Sequence, residues 1–388
     1  MTGIRLSFVY CKERSFGEGK DDDDVWIAPP PGARFRCNMS RQTSRVQAVG
    51  TKHWDTFAYG TFQGSWDMSF MLDYNYLEPL FFVFENTTGP TPATGAAASY
   101  KYTFAKADAK RVPSFAVRLL QLNEMAGGET GEDQIVYLKG CVCKSITISR
   151  AAGSSQFQVS MSGFYVNEKM EKGILGKTDY QEYSGNLAEY SCLYTSSTVG
   201  ATSVNDCSYV ANTESLTIAV DNSADAIYNV CSPFAAQYYE GITNYTFSAV
   251  TYRNAPKNWE QRVYTGGQTN AALNPLSKGL RPMDRAYILT YNGEMNDTDN
   301  TPLKAYNKST YSVGFEIQKC VIKSIERPNG DGSKLVDSIS SADCQLISIE
   351  IKSPANKFGF GKNDGNPHAV TGDKLATFKQ VQINTQGE

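Results

Sequence analysis

At 388 residues and a net charge of −3, the chain is long enough for two or three domains and has no cationic excess to mark a nucleic-acid binder. Charged residues make up 20%, below the ~25% usual for globular proteins, and 23 Tyr, 19 Phe and 32 Gly favour strands and turns over helices. The most apolar stretch, PLFFVF at 79–84, is far short of the ~20 residues that span a bilayer, and MTGIRLSFVYCKERSF has no apolar core of signal-peptide length, so the expectation is synthesis in a cytoplasm without a membrane segment.

Residues 1–45 read as an extended arm, with the acidic run Asp21–Asp24 and the turn-rich PPPG at 29–32. A first β-rich domain is expected over 46–170, with strands near 45–49, 55–62, 65–73, 115–122, 134–149 and 156–166 and a short helix at 76–84. Pro79 suits the first turn of that helix, where no amide donor is needed. Residues 171–212, rich in Ser, Thr, Tyr and Gly, read as a polar linker or long loop. A second β-rich domain is expected over 213–388, with strands near 215–220, 242–252, 285–292, 310–326 and 343–352 and a helix at 256–263. Asn329-Gly330-Asp331-Gly332 is a strong turn signal between two of these strands, and Ala151–Ser155 holds the equivalent place in the first domain.

The chain repeats itself. KGCVCKSI at 139–146 returns as QKCVIKSI at 318–325, so that Cys141, Val142, Lys144, Ser145 and Ile146 recur as Cys320, Val321, Lys323, Ser324 and Ile325, close to half the chain later. Positions 57–79 match 234–256 without a gap, with Phe57, Ala58, Gly64, Phe70 and Pro79 recurring as Phe234, Ala235, Gly241, Phe247 and Pro256. AVRLLQLNEM (116–125) answers AYILTYNGEM (286–295), and FQVSMS (157–162) answers CQLISI (344–349). After Gly64, Trp66, Met68, Phe70 and Leu72 alternate with Ser65, Asp67 and Ser69, the period of a strand with one buried face. Four blocks in one order indicate an internal duplication.

No catalytic, cofactor-binding or metal-binding residue is expected. The only histidines are His53 and His368, and no nucleophile motif lies near either. Cys141 and Cys143 share a strand face, but the second copy has Ile322 in place of Cys143, and two core thiols are the better reading. Gly176-Lys177-Thr178 resembles the end of a phosphate loop, yet Glu171 stands where that loop needs glycine. Neither Asp21–Asp24 nor Asn296–Asn300 has the spacing of a calcium loop. Nine cysteines without dense pairing do not make a disulfide scaffold, and the sequons at Asn38, Asn86, Asn244, Asn296 and Asn307 are chance without an export signal.

A tryptophan-bearing strand, GTFQGSWDMSFML, leads directly into LEPLFFVF, and two later strand pairs complete the unit. This order resembles the tail tube (major tail) proteins of tailed bacterial or archaeal viruses, over both halves but more closely over 45–165 than 213–355. The resemblance implies a mainly β fold: two tandem tail-tube-like β-sandwich or partial-barrel domains, each with a short flanking α-helix. It further implies a non-enzymatic virion protein that self-assembles into rings stacked as a tube, meets neighbouring tail proteins, and lets viral DNA pass without sequence-specific binding. Two such domains per chain favour a trimer ring, with a hexamer as the alternative. Another virion component (baseplate or head–tail joining protein) and a carbohydrate-binding or adhesive β-sandwich protein, its Tyr and Trp stacking on sugars, are the competing readings; a hydrolase is the least favoured.

Overall fold

The computed structural model describes residues 8–13, 15–20, 26–30, 32–46, 56–84, 86–92, 100–105, 112–121, 134–151, 154, 156–172, 180–181, 187–188, 190–196, 203–210, 213–252, 283–291, 302–309, 311–326 and 336–353. In chain order these form β1 (Phe8–Lys12), β2 (Trp26–Ile27), β3 (Arg34–Val46), β4 (Thr56–Met71), a 3-10 helix (Glu78–Phe82), β5 (Asn86–Pro92), β6 (Tyr100–Ala105), β7 (Phe115–Gln121), β8 (Gln134–Arg150), β9 (Gln158–Tyr165) and β10 (Asn167–Lys172). There follow β11 (Tyr180–Gln181), β12 (Tyr190–Ser196), a 3-10 turn (Val204–Asp206), β13 (Ser208–Val210), β14 (Thr213–Asp221), β15 (Asp225–Tyr228), β16 (Ala235–Tyr239), β17 (Asn244–Tyr252), β18 (Met283–Tyr291), α1 (Pro302–Lys308), β19 (Ser312–Glu326), β20 (Val336–Cys344) and β21 (Leu346–Ser353). The fold is mainly β, and the named strands pair antiparallel except β2 with β11.

Two long bent strands organise the sheets, because each serves two of them. The first part of β8 lies between β7 and β10, and the part from Val142 onward lies between β9 and β14. The first part of β19 lies between β18 and β21, and the part from Val321 onward pairs with β20. Both strands turn at a residue with left-handed backbone, Gly140 at φ 64° and Lys319 at φ 47°. The same hydrogen bond crosses each corner: Val166 N–H donates to the Lys139 carbonyl at 3.1 Å, and Gln345 N–H donates to the Gln318 carbonyl at 2.9 Å. A central sheet therefore runs β3-β4-β9-β8-β14-β17-β20-β19, flanked by β11-β2-β1-β7-β8-β10 on one half and β13-β12-β18-β19-β21-β6-β5 on the other. β15 and β16 form a separate hairpin.

The core fills the space between the central sheet and the two flanking sheets. Alternation decides which side chains enter it: Trp66, Met68 and Phe70 are buried, whereas Ser65 and Asp67 are exposed. Trp66 meets Phe115 of β7 edge-on at 5.2 Å, and Phe82 of the 3-10 helix stacks on Phe115 at 4.3 Å. Trp66 lies over Gly163, where a Cβ would come within 2.8 Å of the indole. The corresponding pair across β17 and β20 is Phe247 and Ala342, a smaller ring opposite a residue that does have a Cβ. One apolar cluster includes Trp66, Ile148, Ile218, Phe247 and Ile317, so the core is continuous through both halves.

Glu13, only 3% exposed, braces the first corner. Its Oε1 accepts from Gly19 N–H at 2.9 Å and from Gly140 N–H at 3.0 Å, and its Oε2 accepts from Gly17 N–H at 3.1 Å. Burial pushes this carboxyl above its ordinary range, while the amide donors and the Ser114 hydroxyl pull it back.

Several sequence expectations are corrected. The arm expected over 1–45 contains β1, which pairs with β7 and has Phe8 and Tyr10 buried, and β3, which pairs with β4. The linker expected over 171–212 contains β12, which pairs residue for residue with β18 and buries Cys192, Leu193 and Tyr194. The boundary at 170 is also crossed by β6, which pairs with β21. The helix expected at 76–84 is a 3-10 turn with proline in its first positions, not an α-helix. The helix expected at 256–263 lies outside the described residues; among the described residues the second half has α1, opened by Pro302. Finally, the pairing of strands moves three of the four matched blocks. Gly64 faces Tyr165 as Tyr245 faces Cys344, so the structural counterpart of Gly64 is Tyr245 and not Gly241. Across the bent strands Val117 faces Leu138 as Ala286 faces Ile317, so Ala286 answers Val117 and not Ala116. Leu346 onward forms β21, the place of β10, so CQLISI does not answer FQVSMS of β9.

Gly140 has no Cβ in a conformation that costs other residues roughly 1–2 kcal/mol, and a Cβ there would lie 2.4 Å from Val166 Cγ2. Gly140→Ala is therefore expected to lower stability by about 2 kcal/mol or more in urea denaturation, whereas Lys319→Gly is expected to leave it unchanged or raise it by up to about 1 kcal/mol. Glu13→Gln sets an amide donor against Gly17 N–H and is expected to cost about 1–3 kcal/mol in the same measurement.

Candidate functional site

No three His, Cys, Asp or Glu side chains among the described residues form a metal-binding group. His53, His368, Asp21–Asp24, Gly176-Lys177-Thr178, Asn296–Asn300 and Asn329–Gly332 lie outside the described residues. Cys141 and Cys143 are wholly buried in the main core. Desolvation pushes both thiols well up, and Cys143 donates to the Ser145 carbonyl at 3.4 Å. Trp26 and Trp66 are 4% and 2% exposed, so neither offers a face for a sugar.

What the structure does present is a large sheet whose two edge strands each have one strand partner among the described residues. The central sheet is joined at its middle by six facing pairs between β8 and β14, from Ser145↔Asp221 to Arg150↔Leu216. Ile146 and Ile148 of β8 and Leu216, Ile218 and Val220 of β14 are buried along this seam. Among the described residues, β3 has a strand partner only in β4, and β19 beyond its corner has one only in β20. An unpaired strand edge holds a row of free backbone donors and acceptors that invites another strand.

β3 is apolar on its inward face and increasingly uncovered along its length. Phe35 is buried, Cys37 is half-buried, and Met39 is 59% exposed. These positions correspond to Leu216, Ile218 and Val220 of β14, all buried at the seam. Fully burying a methionine is worth roughly 1.5–3 kcal/mol, so an uncovered Met39 favours a neighbour on that edge.

The middle of the central sheet's outward face is polar and short, whereas Val142 and Phe164 on that face pack with Ala224 and with Tyr238 of β16, and Met71 and Val321 are exposed on it. Facing residues share a face, so the pairings can be read as rows across strands. One row runs Arg34, Ser69, Ser160, Thr147, Ala219, Thr246 and Asp343. The next runs Arg36, Asp67, Ser162, Ser145, Asp221 and Asn244. A third runs Met71, Gln158, Ser149, Thr217 and Ser248. Ser145 and Ser162 hydroxyls lie 2.7 Å apart, and Lys323 pairs with Asp343 at 2.7 Å. Hydroxyls dominate the middle, and cations and carboxylates balance one another towards the edges. In the sequence, the alternation in β4 signalled this face, whereas the seam and the edges had no signal, because pairing partners are set by distant strands.

No helix among the described residues is long and apolar enough to cross a membrane. No family model matches the chain, and no curated protein matches it in sequence.

Burial and raised thiol pKa values predict that iodoacetamide leaves Cys141 and Cys143 unmodified in the folded protein, while exposed Cys231 is alkylated within minutes. Peptide mass spectrometry after a timed quench would measure this.

Proposed function

We propose that the chain is a structural virion protein, a duplicated tail-tube-like unit that polymerises into rings stacked as a tube for viral DNA. The observation that carries this reading is the seam itself. Two four-stranded groups, β3-β4-β9-β8 and β14-β17-β20-β19, are placed side by side in the same order, β8 of one against β14 of the other. Repeating that join between chains leaves no open edge in a closed ring, and a head-to-tail contact of this kind makes either rings or filaments.

The duplication is supported by geometry at the corners. Gly140 and Lys319 share a left-handed backbone, and the hydrogen bonds from Val166 and Gln345 recur at one spacing. The two halves are interleaved through β6 on β21, so they act as one unit with two ring positions.

Size is consistent with the role. Three chains, each contributing the eight strands of its central sheet, would close a barrel of roughly 24 strands. At about 4.8 Å between strands and a tilt near 40°, its backbone diameter is roughly 45–50 Å, wider than a DNA duplex. The inward face is committed to the apolar core, so the hydroxyl rows line the lumen. A lumen of serine and threonine with balanced charge does not hold phosphate by counterion release. Among the described residues Trp26 and Trp66 are buried, which favours this reading over one in which they stack on sugars.

Negative-stain electron microscopy of the purified protein is expected to show hollow rings or tubes with three chains per ring; dispersed monomers at high concentration would overturn the proposal, and six chains per ring would overturn the stoichiometry. Ser160→Lys with Thr147→Lys, on the lumen rows, is expected to make assembled protein retain duplex DNA at low salt, with release as salt rises. Filter binding across a salt series would measure that gain against the unaltered protein.

A further inference from the structure

The seam within one chain also defines a register for the contact between chains, an inference that rests on the self-assembly reading above. Two correspondences are needed. Val142↔Phe164 on β8 and β9 has its counterpart in Val321↔Asp343 on β19 and β20, so β8 maps onto β19 with Val142 at the place of Val321. Asn38↔Ser65 and Ser65↔Phe164 have their counterparts in Ala219↔Thr246 and Thr246↔Asp343, so β3 maps onto β14 with Asn38 at the place of Ala219. At the seam, Thr147 faces Ala219, Ile146 faces Val220, and Ser145 faces Asp221.

We propose that β3 of one chain adds antiparallel to β19 of a second copy in this same register, with Asn38 facing Glu326, Met39 facing Ile325 and Ser40 facing Ser324. Three observations favour a second copy as the occupant. Each of these edges corresponds to an edge that is covered within the chain. Met39 is 59% exposed at the position where Val220 is buried by the seam. The residues that precede it on the inward face, Phe35 and Cys37, match the apolar Leu216 and Ile218. Because the two edges differ, the contact runs head to tail, and every chain offers one edge and receives another.

The test is a cysteine pair read by non-reducing electrophoresis and peptide mass spectrometry. Chains with Asn38→Cys and Glu326→Cys, mildly oxidised at a concentration where rings form, are expected to give a covalent ladder that stops at three chains and a linked peptide joining positions 38 and 326. Asn38→Cys with Lys323→Cys is displaced by three residues, about 10 Å along the strand, and is expected to give at least tenfold less of its linked peptide. Equal yields from both pairs, or no linked peptide in protein that forms rings, would overturn the register while leaving self-assembly standing. Monomers without links would overturn both. Met39→Asp provides a second measurement: its unfolding midpoint is expected to match the parent, since the side chain is exposed in the single chain, while its ring population falls at least tenfold. Rings of Met39→Asp at the parent's level would also overturn the register.

Discussion

The structure depends on two strands that each belong to two sheets. A β-strand that continued straight through residue 140 or 319 would leave the core open on one side. The left-handed residues at these points redirect the chain so that its first part joins a flanking sheet and its second part joins the central one. Apolar side chains on either side of the corner then face each other across the core. Glycine meets the conformational demand in β8 and the buried Glu13 carboxylate braces it; in β19 a lysine occupies the equivalent place.

This arrangement separates stability from assembly. The inward face of the central sheet is covered by the flanking sheets and supplies the hydrophobic stabilisation. The middle of its outward face has short polar groups across many strands. Among the described residues, β3 and the last part of β19 are its edges, each paired on one side. Under the self-assembly proposal, such a face and such edges suit a protein that surrounds DNA without gripping it and grows by adding copies of itself.

Much of the fold was legible in the residues. The Trp66-Met68-Phe70 alternation located β4 and its buried face, and the recurrence of CVCKSI as CVIKSI located the two bent strands. β1 escaped notice because its short FVYC run is apolar on both faces and so has no period, and β12 because its seven residues mix polarity; the burial of both comes from strands far away in sequence. β3 escaped because an edge strand tolerates arginine on its outward face. The gapless match of Gly64 to Gly241 misled because sheets keep inward and outward faces over even shifts, so a slip of four preserves the pattern while changing every partner.

By itself, then, the sequence determined the β class, the burial face of its clearest strands and the pair of recurring corner strands, since these follow from local periodicity and local identity. Which strands neighbour one another, the seam of β8 on β14, the passage of β6 onto β21 and the two edges left open were decided only by tertiary structure. The physical reason is that backbone hydrogen bonds between strands are the same for every sequence, and only the packing of distant side chains into one core selects among the possible pairings.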